Sequence, residues 1–244
     1  MARSSRLAQC SVISPSRVRN QWVWVMANAL PVGGMTVSTA AVPGRSASAA
    51  RTREAIAAAA KDAFERLGWS GATMRGIADQ AGVSVKTVEA LYRTKAELLK
   101  EVVDYAIAGD LQPIPILGRE SVAAMQAASD APALLDLHAH HARAISERAA
   151  SVFWVAEQAA PAHQDVARLW TQMCDNRRAG ARWAATTLLT KPGLPPHVGQ
   201  RYAEEVFWIG IDPATYRSLT LGRGLSPARF ETWIRNFYCR MLLH

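Results

Sequence analysis

The stretch Thr73-Met74-Arg75-Gly76-Ile77-Ala78-Asp79-Gln80-Ala81-Gly82-Val83-Ser84-Val85-Lys86-Thr87-Val88-Glu89-Ala90-Leu91-Tyr92-Arg93-Thr94-Lys95 decides the reading of this chain. Thr73 can accept a hydrogen bond from a first-turn backbone N–H, so a helix is expected to begin at Met74. Ile77, Ala78 and Ala81 fall on one face at helical spacing, with Asp79 and Gln80 on the other, and Gly82 can take the left-handed conformation that ends a helix. Ser84 is a second N-cap, Val83 plugs the bend, and Val88 and Leu91 are expected to continue the buried stripe. Ala78 and Ala81 are small enough to let the two helices touch. The pattern is that of a helix-turn-helix, and it leaves Val85, Lys86, Thr87, Glu89 and Ala90 facing outward, free to enter a major groove. Lys86 and Thr87 suit phosphate or base-edge contacts, whereas Glu89 can face DNA only by accepting from a cytosine amino group.

The flanks extend the pattern. Residues 52–67 place Ile56, Ala59, Ala60, Ala63, Phe64 and Leu67 on one stripe, which predicts a surface helix ended by Gly68 with Trp69 packed over the junction. After the bend, Lys95, Ala96 and Glu97 open a helix whose Leu98, Leu99, Val102, Val103, Ala106 and Ile107 face inward. The order is a long helix, two short ones and another long one.

Residues 51–108, about a quarter of the chain, resemble the N-terminal domain of TetR-type transcriptional regulators. The matching residues are Arg53-x-x-Ile56, Ala63-Phe64, Gly68-Trp69, Thr73-Met74-x-x-Ile77-Ala78, Ala81-Gly82-Val83-Ser84, Thr87-Val88, Lys95 and Leu98-Leu99. The resemblance implies that Ser84 to Tyr92 form the recognition helix and that Lys95 sits against a phosphate at the N-terminus of the fourth helix. Where the family commonly has Tyr-x-Tyr/His-Phe, this chain has Glu89-Ala90-Leu91-Tyr92, so the phosphate-contacting aromatic is missing or displaced to Tyr92, a residue that by the same resemblance also suits the family's core Phe position. The expected DNA-binding residues are Thr73, Arg75, Ser84, Val85, Lys86, Thr87, Glu89, Tyr92 and Lys95.

With 244 residues the chain can bury a real core. Its formal charge of +8 invites a nucleic-acid reading, but residues 1–50 carry +5, residues 51–108 only +1 and the remainder +2, so the helix pattern carries the case. Cys10, Cys174 and Cys239 form neither a disulfide framework nor a zinc spacing, in keeping with a reducing cytoplasm. No run of about 18 apolar residues predicts a membrane span.

Residues 1–50 are read as a disordered extension. Two other readings stay open there. Arg3, Arg6, Arg17 and Arg19 ahead of the apolar stretch 21–32 imitate an export signal, and Met26 or Met35 can be the true start. Gly109 to Gly118, with Pro113 and Pro115, marks a domain boundary. Beyond it, helices are expected at 119–129, 133–149, 151–159, from Pro161 to about Leu189, 197–211, from Asp212-Pro213 through Leu221, and from Ala228 to Leu242. The fold class is all-α: a disordered extension (1–50), a three-helix helix-turn-helix DNA-binding domain (51–108) and a helical ligand-binding and dimerisation domain (109–244). Phe207, Trp208, Ile211, Tyr216, Leu219, Phe230, Trp233, Ile234, Phe237 and Leu242 form an apolar stripe that is either subunit core or a two-helix face shared across a two-fold axis.

His138, His140 and His141 with Glu147 and Glu157 are the one cluster resembling metal ligands, and a surface or pocket-lining histidine pair is the preferred reading. No Gly-x-Ser-x-Gly or phosphate-cradling glycine loop occurs, so neither an enzyme nor a cofactor is expected. Trp154, Trp170, Trp183, Met125 and Met173 lie on helices that line the pocket in the resembled family. With His138 and His141 they form the candidate ligand-binding set, to which Arg143 and Arg182 can add orientation of an acidic ligand. The expected function is a cytoplasmic, homodimeric regulator, a repressor that binds a palindromic double-stranded operator and is released by a small apolar or amphipathic effector. The alternatives are a helical small-molecule-binding or interaction protein without sequence-specific DNA binding, and an enzyme centred on His138 and His141.

Overall fold

The computed structural model describes residues 43–112 and 114–244, and every regular element among them is helical. In chain order these are α1 (Pro43–Gly71), α2 (Met74–Ala81), α3 (Val85–Leu91), α4 (Lys95–Ala108), α5 (Glu120–Gln126), α6 (Ala131–Ala159), α7 (Gln164–Leu189), α8 (Gln200–Gly210), α9 (Pro213–Arg217) and α10 (Pro227–Leu242). A short 3-10 turn, Ile116–Gly118, precedes α5, and a π-helical turn, Ser218–Gly222, follows α9. No described helix is long and apolar enough to cross a membrane.

The elements follow their local chemistry. α1 is broken at Gly68, whose φ of 66° and ψ of −173° are not helical, and Trp69 stacks on Phe64 at 6.0 Å just beyond. Upstream, α1 opens at Pro43, earlier than the apolar stripe requires. The readings of residues 1–42 as disordered chain, export signal or untranslated leader lie outside the described residues. The stretches 133–149 and 151–159 are one helix, α6, because Ala150 and Ser151 sustain the helical pattern across the expected break. α7 begins three residues after Pro161, with a turn between.

Two apolar clusters organise the described chain. One joins α1 to α4 to the second half of α6 and the first half of α7, through Phe64, Ile77, Val88, Leu98, Val102, Val152 and Phe153. The other is built on α6, α7, α8, α9 and α10 around Leu134, Leu188, Phe207, Phe230, Ile234 and Tyr238. α8 crosses α10 at Gly210, where a Cβ would lie 2.0 Å from the Tyr238 hydroxyl oxygen. Only glycine leaves room for that buried ring. The apolar stripe over the last helices is therefore divided. Phe207, Tyr216, Phe230, Ile234 and Leu242 are buried in the subunit, Trp208, Ile211, Leu219 and Phe237 are half-buried, and Trp233 is exposed.

Candidate nucleic-acid interface and ligand cleft

The bend between α2 and α3 is fixed by groups close in sequence. Thr73 Oγ1 accepts from the Gly76 N–H at 3.0 Å, and Ser84 Oγ accepts from the Thr87 N–H at 3.1 Å. Gly82 adopts φ 69°, ψ 29°, and the Val83 N–H returns to the Ala78 carbonyl at 3.0 Å. A residue with a Cβ would be strained at that φ. Ile77, Ala78 and Val88 are buried beneath the bend. Arg75, Lys86 and Glu89 point outward, as does Arg93, which the sequence reading missed because it lies past the end of α3. Among the described residues none of these four has an ion pair.

Four expectations here are corrected. Tyr92 is buried, its hydroxyl 3.3 Å from Glu101 Oε1 on α4, because it turns in at the end of α3. Leu91, expected in the buried stripe, is instead 45% exposed. Val85 is half-buried and packs on the core under the bend rather than facing out. Lys95 points inward: Nζ donates to the carbonyls of Trp69 (2.6 Å) and Ala72 (3.0 Å) and lies 4.3 Å from the centre of the Trp69 ring. The unpaired carbonyls at the end of α1 draw the ammonium there. Burial holds its pKa below the ordinary lysine range, against a smaller opposing effect of Asp165. Thr87 is half-buried, with Oγ1 2.8 Å from Ser84 Oγ.

α4 is gripped at both ends. Lys95 ties its start to α1, and Arg148 of α6 donates from Nε to the Ala106 carbonyl and from Nη2 to the Ile107 carbonyl, both at 2.9 Å. Arg119 adds a bond to the Ala108 carbonyl and a two-pronged pair with Asp110. These cations satisfy carbonyls that the helix end leaves open. The His163 ring at the head of α7 lies 5.4 Å from Trp69. α6 thus grips the end of α4, and α7 meets the Trp69 ring over which Lys95 lies.

A cleft of about 150 Å³ opens between α6, α7 and the α9 segment. Ala150, Phe153, Trp154 and Glu157 line it from α6, Trp170 and Arg177 from α7, and Asp212, Pro213, Ala214 and Arg217 from α9 and its cap. Phe153 and Trp170 meet edge to face at 6.3 Å. Trp154 is 42% exposed, and the Arg217 guanidinium lies 4.7 Å from its ring centre. Arg177 is paired with Asp212 and lies 3.7 Å from the Trp208 ring centre.

Of the residues expected to bind ligand, only Trp154 and Trp170 meet here. Met125 and Met173 are buried in packing, and Trp183 packs on the second apolar cluster. His138 is neither at the surface nor in the cleft. It lies in an aromatic core, 4.5 Å from Phe207 and 5.3 Å from Tyr238 between ring centres, and burial pushes its pKa down to about 3. His141 is half-buried and is likewise lowered to about 4, by burial first and then by Arg148 and His140. His140 pairs with Glu231 at 3.1 Å, so the histidines do not converge. Arg143 is held by Glu147 and Glu231, and Arg182 by Glu204, away from the cleft. Arg177, Asp212 and Arg217 were missed. The available signal was Arg177 two helical turns after Trp170, on the same face.

A capped bend presenting a short helix at the surface, braced by a long helix on each side, defines a DNA-binding helix-turn-helix domain. Residues 56–102 match the model for bacterial regulatory proteins of the TetR family, so the chain carries a TetR-type DNA-binding domain, as the sequence resemblance implied. The chain is similar in fold to a TetR transcription regulator from Haloarcula marismortui, with 19% identity, 78% of this chain and 98% of that one covered, and a TM-score of 0.57. It is also similar to a protein from Saccharomonospora viridis named as a transcriptional regulator and solved in complex with choline, with 17% identity, 79% and 97% coverage, and a TM-score of 0.59. No curated protein matches. The chain shares the fold of these proteins, and its residues 56–102 match the family model.

Proposed function

We infer that this protein is a cytoplasmic, non-enzymatic repressor that binds a palindromic operator as a homodimer and lets go when a small molecule enters the α6–α7 cleft. The domain limits follow the sequence reading, with 51–108 binding DNA and 109–244 binding ligand and partner. The observation that carries it is the outward face of the bend, where Arg75, Lys86 and Arg93 are exposed and have no ion pair among the described residues while the opposite face is buried. Cations so placed are available for phosphates and guanine edges.

Pairing is supported by a stripe of exposed or half-buried apolar side chains along α10, Trp233, Phe237 and Met241, beside Tyr202 and Ile209 on α8. Two copies related by a two-fold axis bury such a stripe and set two α3 helices about one DNA turn or more apart. Ligand control is supported by the grip of α6 on the end of α4: a ligand that spreads α6 from α7 displaces Arg148, and α4 with it. The Saccharomonospora viridis protein, solved in complex with choline, is a precedent for a small molecule bound by this fold.

The test is selection of bound duplexes from a random pool, followed by gel shifts at fixed salt. Lys86→Ala and Arg75→Ala are each expected to weaken the selected duplex roughly tenfold. Unchanged binding by both variants removes α3 as the reading helix. Glu89, exposed on α3, and the inward Tyr92 and Lys95 favour the second reading, a helical binding protein that does not read sequence. A pool that yields no enriched sequence decides for it.

A further inference from the structure

The cleft holds two opposite charges that have no ion pair among the described residues. Glu157 on α6 is half-buried and Arg217 at the end of α9 is half-buried, and among the described residues neither has an ion pair or a hydrogen bond. The other two charged residues of the lining, Arg177 and Asp212, neutralise each other, and the Trp208 ring covers the guanidinium. Three aromatic rings, Phe153, Trp154 and Trp170, line the same cleft. We propose that the cleft takes a small zwitterion, an amino acid with an apolar side chain, whose ammonium meets Glu157, whose carboxylate meets Arg217 and whose side chain lies against the rings. This deepens the effector reading above and rests on it.

The chemistry favours a ligand with both charges. A half-buried charge without a partner is costly, and one molecule with matching ends relieves both residues at once. A simple cation would answer Glu157 but compete with Arg217 for the face of Trp154, where the guanidinium already sits. A simple anion would answer Arg217 and leave Glu157 unpaired. Arg217 needs no rearrangement to bind a carboxylate: stacking occupies the flat face of the guanidinium and leaves its N–H edge open. The volume, about 150 Å³, is several times the roughly 30 Å³ share of one water and suits a molecule of amino-acid size.

The experiment compares three molecules of one shape on the full-length protein by calorimetry and tryptophan fluorescence: L-leucine, isopentylamine, which lacks the carboxylate, and 4-methylpentanoate, which lacks the ammonium. Leucine is expected to bind about tenfold or more tightly than either relative. In R217Q its affinity is expected to fall to that of isopentylamine, whose own binding stays unchanged. In E157Q it falls to that of 4-methylpentanoate. Relatives that bind the wild-type protein as well as leucine does overturn the proposal, as does absence of binding by both L-leucine and L-phenylalanine at millimolar concentration. Duplex selection on the same preparation separates the two readings. An enriched operator with no amino-acid binding removes the zwitterion and keeps the regulator. Leucine binding with no enriched duplex does the reverse.

Discussion

The bend of α2 and α3 and the bundle of α6, α8 and α10 are held by contacts of opposite kinds. The bend relies on Thr73, Ser84 and Gly82, each acting on a group within five residues, with small apolar side chains beneath. The bundle relies on large rings from distant parts of the chain, with His138, Phe207 and Tyr238 interlocked around Gly210. Polar groups differ as well. In the bend they point outward or cap a helix, whereas in the bundle His138 Nδ1 and the Tyr238 hydroxyl are buried with no hydrogen-bond partner among the described residues. A region that must present polar atoms to a partner is stabilised by polar atoms, and a region that must hold a shape is stabilised by ring area.

The two regions should therefore answer differently to pH and to substitution. The largest effect is expected in the bundle. His138 is lowered in the fold from 6.5 to about 3, so its contribution is complete above the unfolded value and is lost as pH falls toward 3. Comparing wild type with His138→Leu by urea denaturation, the stability difference should swing by about 4 kcal/mol between pH 7 and about pH 3.5. A constant difference would break the contrast. Asp104 on α4 moves the opposite way. Burial raises it from 3.8 to about 6 despite its pair with Lys100, so its contribution is complete below the unfolded value and is lost as pH rises through 6. Asp104→Asn should add about 1–2 kcal/mol at pH 8 and almost nothing at pH 4, less than the full shift implies because 29% of the side chain stays exposed. A melting-temperature series across that range checks it. The smallest effect belongs to the bend: Ser84→Ala should cost about 1 kcal/mol, read from the urea midpoint, because one first-turn N–H loses its acceptor.

The same contrast explains what was legible in the sequence. Thr73, Gly82 and Ser84 act over three to five residues, and their spacing alone placed the bend and the helices beside it. The long helices were also legible by period, save for the false break at Ala150. The cleft was not. Its residues come from positions 150 to 217, and Arg217 reaches Trp154 only because the short α9 folds back over α6. Neither period nor motif encodes that return. Lys95 and Tyr92 were misplaced for a related reason. Their chemistry suits phosphate, and the competing acceptors, the Trp69 and Ala72 carbonyls and Glu101, become neighbours only on folding.

α4, fastened by Arg148 near one end and Lys95 at the other, also acts as a lever. Its 14 residues span about 21 Å, so a tilt of about 5° carries one end roughly 2 Å relative to the other. Hydrogen bonds to base edges tolerate only a few tenths of an ångström. On the ligand-controlled reading proposed above, gearing of this kind would let a slight tilt of α4 carry the bend off the base edges, so the effector could be small.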